Sequence, residues 1–252
     1  MAGSRTFWPA DATRHCPVPA AYCELMWTAA ILAGGQAQRL GGRDKSALRV
    51  GAGSILERQL GVLRALTPHI LIVGHHPPSP RLRRTSPSPP RLRRASPSSP
   101  GLGWASAGII DVRVVEDRIA GAGALGGLYT ALVEAPTEQV LVIACDMPFI
   151  SAPFLIALAS LGAGVDAAIP RDGHGPHPLC ASYHRRIADH LKTRIDAGAL
   201  RIVDALSELQ VRDIGPDEVA PFDPDGRLLT NVNTPADYER ARLAVDGEPP
   251  SA

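Results

Sequence analysis

Two hydrophobic patterns alternate along this chain. Short, nearly continuous apolar runs recur at "TAAILA" (28–33), "HILIVG" (69–74), "VRVVE" (112–116) and "QVLVIAC" (139–145), with shorter ones at "DAAIP" (166–170) and "PLCASY" (178–183). Runs of this length, bounded by Gly, Pro or Asp, read as buried strands. Between them lie longer segments with helical spacing: "SILERQLGVLRAL" (54–66), "ALGGLYTALVEA" (124–135), "APFLIALASL" (152–161) and "RRIADHLKTRIDAG" (185–198). In the first of these, Leu56, Leu60, Leu63 and Leu66 share one face. Ser54 and Glu57 form an S-x-x-E capping box, which satisfies the free N–H groups of a helix start. Strands alternating with helices predict βαβ units with right-handed crossovers, hence an α/β three-layer αβα sandwich around a mainly parallel sheet.

Three segments depart from this rhythm. Residues 1–25 lack periodicity and are expected to be a disordered tail, with the folded domain covering 26–245 and a short tail at 246–252. Residues 77–105 interrupt the domain. The core of this insertion, "PPSPRLRRTSPSPPRLRRASPSSP", repeats "PRLRR" at Pro80 and Pro90 and has too few apolar residues to bury. It reads as a low-complexity Pro/Arg-rich insertion in a surface loop. A basic arm for an acidic partner is the functional alternative.

Composition narrows the class. Hydrophobic residues make up 45% of the 252 and aromatics only 4%, so the core is built from Ala, Val, Leu and Ile, as suits a parallel sheet. No apolar run reaches the roughly 18 residues of a membrane helix. The first twenty residues hold no apolar signal core. Cys16, Cys23, Cys145 and Cys180 form no CxxC pair, and isolated thiols fit a reducing, cytoplasmic setting. The formal net charge of +1 conceals an asymmetry. Six arginines lie between His76 and Pro100, and the remainder of the chain carries −5.

The candidate chemistry begins where the first strand ends. "LAGGQAQRLGGRDKSAL" (32–48) holds four glycines together with Arg39, Arg43 and Lys45. Glycine lets backbone N–H groups approach a polyanion, and the cations neutralise phosphate charge. The stretch matches neither G-x-x-x-x-G-K-[ST] nor G-x-G-x-x-G. Asp117 follows "VRVVE" and Asp146 follows "QVLVIAC", so both belong to the strand-exit edge where open α/β sheets bind ligands. A carboxylate opposite a phosphate loop suits Mg²⁺, which takes one or two carboxylates plus phosphate oxygens and water. Other centres are weaker. His69, His75, His76, His174 and His177 lack zinc spacing. Ser182 lacks a nucleophile elbow. Cys145 is expected to be a buried structural thiol facing away from Asp146 by strand alternation.

Five segments in order resemble the signature of the GT-A-like nucleotidyltransferases, and in particular the molybdenum cofactor guanylyltransferase family: "LAGGQAQRLGGRDKSAL", "GALGGLYTAL", "CDMP", "HPLCASY" and "NVNTPADY". The resemblance runs from Thr28 to Arg242. It implies a Rossmann-like GT-A fold and transfer of GMP from GTP to molybdopterin, with Mg²⁺ as cofactor and no protein nucleophile. By resemblance, Leu32, Ala33, Gly34, Gly35, Gly74 and Asp117 hold the nucleotide. Arg39 and Lys45 neutralise phosphates, Asp146 holds Mg²⁺, and Asn231 and Asn233 shape the molybdopterin side. The implied partners are GTP and molybdopterin or molybdenum cofactor, with molybdoenzyme apoproteins or their chaperones receiving the product. No membrane or specific nucleic acid is implied. Cytidylyl transfer to the same cofactor, sugar-phosphate nucleotidyl transfer and non-catalytic nucleotide binding are the alternatives. Two departures stand out: Gly74 replaces the family's frequent Asn, and Gly123-Ala124-Leu125 replaces Gly-Pro-Leu.

Overall fold

The computed structural model describes residues 27–33, 47–74 and 111–246. In chain order the strands are β1 (Trp27–Leu32), β2 (Arg49–Val50), β3 (Gly53–Ser54), β4 (His69–Val73), β5 (Asp111–Val115), β6 (Gln139–Ala144), β7 (Ala167–Asp172), β8 (Gly175–Pro176), β9 (Cys180–His184) and β10 (Val211–Ile214). The helices are α1 (Ile55–Leu63), α2 (Gly123–Glu134), α3 (Ala152–Leu161), α4 (Ala188–Asp196), α5 (Ile202–Leu206), α6 (Pro216–Val219) and α7 (Pro235–Asp246).

The main sheet runs β10-β7-β9-β6-β1-β4-β5, with β8 paired to β7. β5, β4, β1 and β6 are mutually parallel. β9 is antiparallel to both β6 and β7, and β10 is parallel to β7. The sheet is therefore mixed and mostly parallel, with helices on both faces. Strand alternation sorts the core into two layers. Ala29, Ile31, Ile70, Ile72, Leu141 and Ile143 pack with α1 and α3. Ala30, Leu32, Leu71, Val73, Val140 and Val142 pack with α2, α4 and α5. Burial on both faces explains why these strands read as continuous apolar runs.

Each predicted strand and helix forms, with local adjustments. The Ser54–Glu57 capping box is present, and α1 ends at Leu63, leaving Leu66 beyond it. The segment from Arg185 starts as a short 3-10 turn before α4. β6 ends at Ala144, so strand alternation does not govern Cys145 and Asp146. Cys145 is nevertheless buried beside Ile143 and Met147 in the α1/α3 layer. The β2–β3 hairpin, α5, β10, α6 and α7 were not legible as apolar periods. They are short, or in α7 strongly polar, and α7 leaves Leu243 exposed. Its Ala241 instead joins Leu48, Val50, Ile55 and Val232 in a third small cluster.

One glycine marks a close approach. A Cβ at Gly162 would lie 2.3 Å from Ser182 Oγ and 2.8 Å from Gln139 Nε2. Ser182 is buried and its Oγ accepts from Gln139 Nε2 at 3.0 Å. The hydroxyl thus has a structural partner, in keeping with its lack of a nucleophile elbow.

Residues 1–26, 34–46, 75–110 and 247–252 lie outside the described residues. The expectations for both tails and the Pro/Arg insertion therefore concern segments beyond the description. Among the described residues no helix is long and apolar enough to cross a membrane.

Candidate functional site

The exits of four parallel strands are stitched together by backbone bonds. Ala33 N donates to Val73 O at 2.7 Å and Gly74 N to Val115 O at 3.0 Å. Cys145 N donates to Leu32 O at 3.1 Å. The exit of β1 thus has β4 on one side and the turn beyond β6 on the other. Gly74 is buried with φ +138, a conformation that L side chains rarely adopt. A glycine suits this backbone, and it offers a ligand main chain where a side chain would stand.

Asp117 lies two residues beyond β5. Its loop is tied to α2 by a buried threonine. Arg118 N donates to Thr130 Oγ1 at 3.0 Å, and Thr130 Oγ1 donates to Gly126 O at 2.8 Å. Glu134, on the next turn, pairs with Arg113 at 2.9 Å and Arg118 at 2.6 Å. The Arg118 hydrogen bond, aided by Arg113 and opposed by burial, holds the Glu134 carboxyl below its usual range. Gly127 brings α2 close to the strand exits. A Cβ there would stand 3.5 Å from Leu32 Cδ1 and 3.8 Å from Asp117 Oδ1. Leu32 and Asp117 therefore meet on one side of the β1 exit.

Asp146 occupies the other side. Gln59 of α1, fully buried, donates from Nε2 to Ala144 O at 2.7 Å and to Met147 O at 3.0 Å. Arg58 Nε reaches Pro148 O at 3.3 Å. The "CDMP" turn is thus fastened to a helix as well as to β1. Its other neighbour is the late "NVNTP" segment, because Val232 N donates to Asp146 O at 2.8 Å. That segment is itself a helix cap. Asp237 Oδ2 accepts from Asn233 N at 3.0 Å and Thr234 N at 2.8 Å, while Asp237 N donates to Thr234 Oγ1 at 3.2 Å. With Pro235 in the first turn, this is a reciprocal N-terminal box. The "T-P-A-D" part of the motif is a folding signal, and it positions the asparagines.

Asn231 borders a cleft of about 520 Å³ shared with Arg171, Asp172, His174, His177 and Leu229. Its Oδ1 is buried and has no hydrogen-bond partner among the described residues. On the opposite wall, His177 Nε2 stands 2.9 Å from Asp172 Oδ2, and His174 N donates to Asp172 Oδ1 at 2.8 Å. Burial raises the Asp172 pKa, but the His174 N–H and His177 outweigh it, and the net shift is downward. Asp172 is therefore anionic at neutral pH. The cleft sets these polar groups beside apolar Val219 and Leu229, and it is open to solvent.

The structure thus brings Leu32, Ala33, Gly74 and Asp117 together at one side of the strand-exit edge, with Asp146 and Asn231 on the other. The Asn233 N–H donates to Asp237 in the α7 cap. Gly34, Gly35, Arg39 and Lys45 lie outside the described residues. His69 begins β4, at its N-terminal end and away from the strand exits. His75 and His76 are not described. No cluster of three or more His, Cys, Asp or Glu side chains among the described residues could hold a metal by itself. Cys180 is wholly buried, and burial pushes its thiol up to about 12. Sequence reading missed Gln59, Thr130 and Asp237. Gln59 had a visible signal, as a polar residue on the apolar stripe made by Leu56, Leu60 and Leu63.

A mostly parallel αβα sheet with carboxylates at its strand exits has the architecture of the GT-A-like nucleotidyltransferases. The profile of the MobA-like NTP transferase domain matches residues 29–211, and the chain belongs to that family. It is 32% identical over 231 residues to a probable molybdenum cofactor guanylyltransferase of Pelotomaculum thermopropionicum, covering 88% of this chain and 95% of that one. It is 32% identical over 221 residues to a probable molybdenum cofactor guanylyltransferase of Chloroflexus aggregans, covering 85% and 93%. Among solved structures it resembles molybdopterin-guanine dinucleotide biosynthesis protein A of Archaeoglobus fulgidus, with TM-score 0.66, 24% identity, and coverage of 88% and 100%.

Proposed function

We propose that this chain transfers GMP from GTP to the terminal phosphate of molybdopterin, giving the guanine dinucleotide cofactor and pyrophosphate. An oxygen of the acceptor phosphate forms a bond to the α-phosphorus as the α–β anhydride bond breaks. Pyrophosphate carries away the electron pair, and no covalent enzyme intermediate is required. The protein's part is to align the two phosphates and neutralise charge.

One observation carries the reading. The Val232–Asp146 backbone bond sets the late asparagine segment directly against the carboxylate turn. A donor side at Leu32, Ala33, Gly74 and Asp117 thereby adjoins an acceptor side at Asn231 and the cleft it borders. A pterin has an amide-like edge, and Asn231 brings a side-chain amide of matching donor–acceptor chemistry to the cleft wall. The phosphates would lie between, and the family resemblance assigns Lys45 and Arg39 to neutralising them. The relatives' names support guanine as the base.

Asp146 offers hard carboxylate oxygens, with its Oδ1 atom sheltered from solvent. One or two such ligands are what Mg²⁺ uses when phosphates and water complete its shell, so the donor set fits this ion. Bound Mg²⁺ would neutralise phosphate charge as pyrophosphate leaves. Asp146→Asn tests the reading. The variant should keep its fold and lose most turnover, because a neutral amide is a poor Mg²⁺ ligand. Near-normal turnover at limiting Mg²⁺ would remove Asp146 from this role.

A further inference from the structure

The one polar residue on the buried stripe of α1 raises a physical question. Gln59 is completely inaccessible, flanked by Leu56, Leu60 and Leu63 in the α1/α3 core layer. An amide there forgoes hydration, and an aliphatic side chain of similar size would pack without that cost. The position is not a helix end, and Gln59 caps no turn of its own helix. Its two amide protons instead go to the carbonyls on either side of Cys145-Asp146, those of Ala144 and Met147. A Gln amide carries two such donors, so the pair of bonds uses them both.

This arrangement spans the turn. Ala144 is the last residue of β6, and Met147 begins the departure toward α3. Fixing both carbonyls fixes the chord between them, and with it the direction in which the intervening Asp146 leaves the backbone. Two backbone bonds act on the same turn: Cys145 N donates to Leu32 O of β1, and Val232 N donates to Asp146 O from outside the core. Arg58 adds a bond to Pro148 O, but that residue lies next to Gln59 on the helix and comes from the rim. Gln59 is the side-chain tie that acts from within the core.

We infer that Gln59 is a positioning residue, whose buried amide holds the Cys145-Asp146 turn so that the Asp146 carboxylate is aimed into the nucleotide site. The inference rests on the role proposed for Asp146. It accounts for a polar group on an α1 stripe whose other buried residues are all aliphatic. It also predicts that the cost of losing the amide appears in metal-dependent nucleotide binding and turnover and leaves global stability largely intact.

A double-mutant cycle decides the matter, using Gln59→Met, Gln59→Leu, Asp146→Asn and the combinations. Methionine and leucine fill the space but donate no hydrogen bond. The expected result is a folded Gln59→Met protein with thermal stability close to that of the parent. Its turnover should fall about 10- to 100-fold, as for other residues that orient metal ligands. The Mg²⁺ concentration for half-maximal activity should rise. Calorimetry should register weaker GTP binding with Mg²⁺ present and unchanged binding with Mg²⁺ omitted. In the Asp146→Asn background, the same Gln59 substitution should have almost no further effect, because the residue acts through Asp146. The inference is overturned if Gln59→Met retains parental turnover and Mg²⁺ requirement, or if its loss is the same with and without Asp146. It is equally overturned if both Met and Leu variants fail to fold, which would make Gln59 a residue of the core alone. Full turnover in Asp146→Asn itself would instead defeat the role assigned to Asp146, a result distinct from all of these.

Discussion

Replacing Thr130 by valine isolates the tie that holds the Asp117 loop. Valine matches threonine in shape, and Thr130 is completely buried, so no cavity is created. Gly126 O loses one donor but keeps its helical partner, the N–H four residues on. Arg118 N loses the acceptor that it meets at 3.0 Å, in a half-buried place. A buried donor left without a partner costs about 1–3 kcal/mol, and partial exposure favours the lower part of that range. A domain of this size loses about 2–4 °C per kcal/mol, so Thr130→Val should melt about 2–8 °C lower. The Asp117 loop should also loosen, weakening GTP binding measured by calorimetry. Arg118→Ala is the control. It removes the ion pair to Glu134 but keeps the backbone N–H, and a half-exposed pair is worth about 1 kcal/mol or less. Thr130→Val with unchanged melting temperature and unchanged GTP affinity would refute the reasoning, as would a larger loss in Arg118→Ala.

Three further outcomes follow from the same geometry. Gly162→Ala forces a methyl against Ser182 and Gln139 and should cost about 1–3 kcal/mol in denaturant titration; a neutral result would mean that β9 can shift freely. For Asp237, burial raises the pKa, but the Thr234 hydroxyl, the N–H groups of Asn233 and Thr234, and Arg240 together bring it below 3.8. A lowered folded pKa stabilises above the unfolded value and ceases to do so as pH falls through the folded one. Asp237→Asn should thus lose stability at neutral pH, with the gap to the parent closing on acidification below about 4; a gap constant with pH in thermal melts would contradict this. Deleting residues 77–100 in favour of a short Gly/Ser linker should leave the melting temperature nearly unchanged, since closure entropy varies weakly with loop length, whereas loss of the folded state would make the segment structural.

How much was legible in the chain depended on what each residue does. The parallel strands were plain because burial on two faces leaves unbroken apolar runs, as in "QVLVIAC". α1 declared both its stripe and its cap. β10 and α6 did not, since four residues at a sheet margin carry no period. α7 is held by Ala241 and by the Thr234–Asp237 box more than by an apolar face. Asp117 and Asp146 could be placed at the strand-exit edge because a carboxylate just past an apolar strand has a predictable position. Their supports were hidden, because Thr130 and Gln59 act across 12 and 85 or more residues of chain. The antiparallel β9 was also beyond reach, because strand direction is set by connection and not by local pattern. Asn231 and Asn233 come from one motif; Asn231 borders the cleft, and the Asn233 N–H donates to Asp237 in the α7 cap.

The central claim is guanylyl transfer to a pterin phosphate, and its most direct test is product formation from each nucleotide in turn. The purified protein is incubated with Mg²⁺, molybdopterin and GTP, CTP or ATP, and pyrophosphate release is followed alongside chromatographic detection of the dinucleotide. The account predicts a guanine dinucleotide from GTP, pyrophosphate in equal amount, dependence on both Mg²⁺ and molybdopterin, and much slower turnover of CTP and ATP. Turnover of CTP equal to or above that of GTP, or pyrophosphate release that does not require molybdopterin, would contradict it.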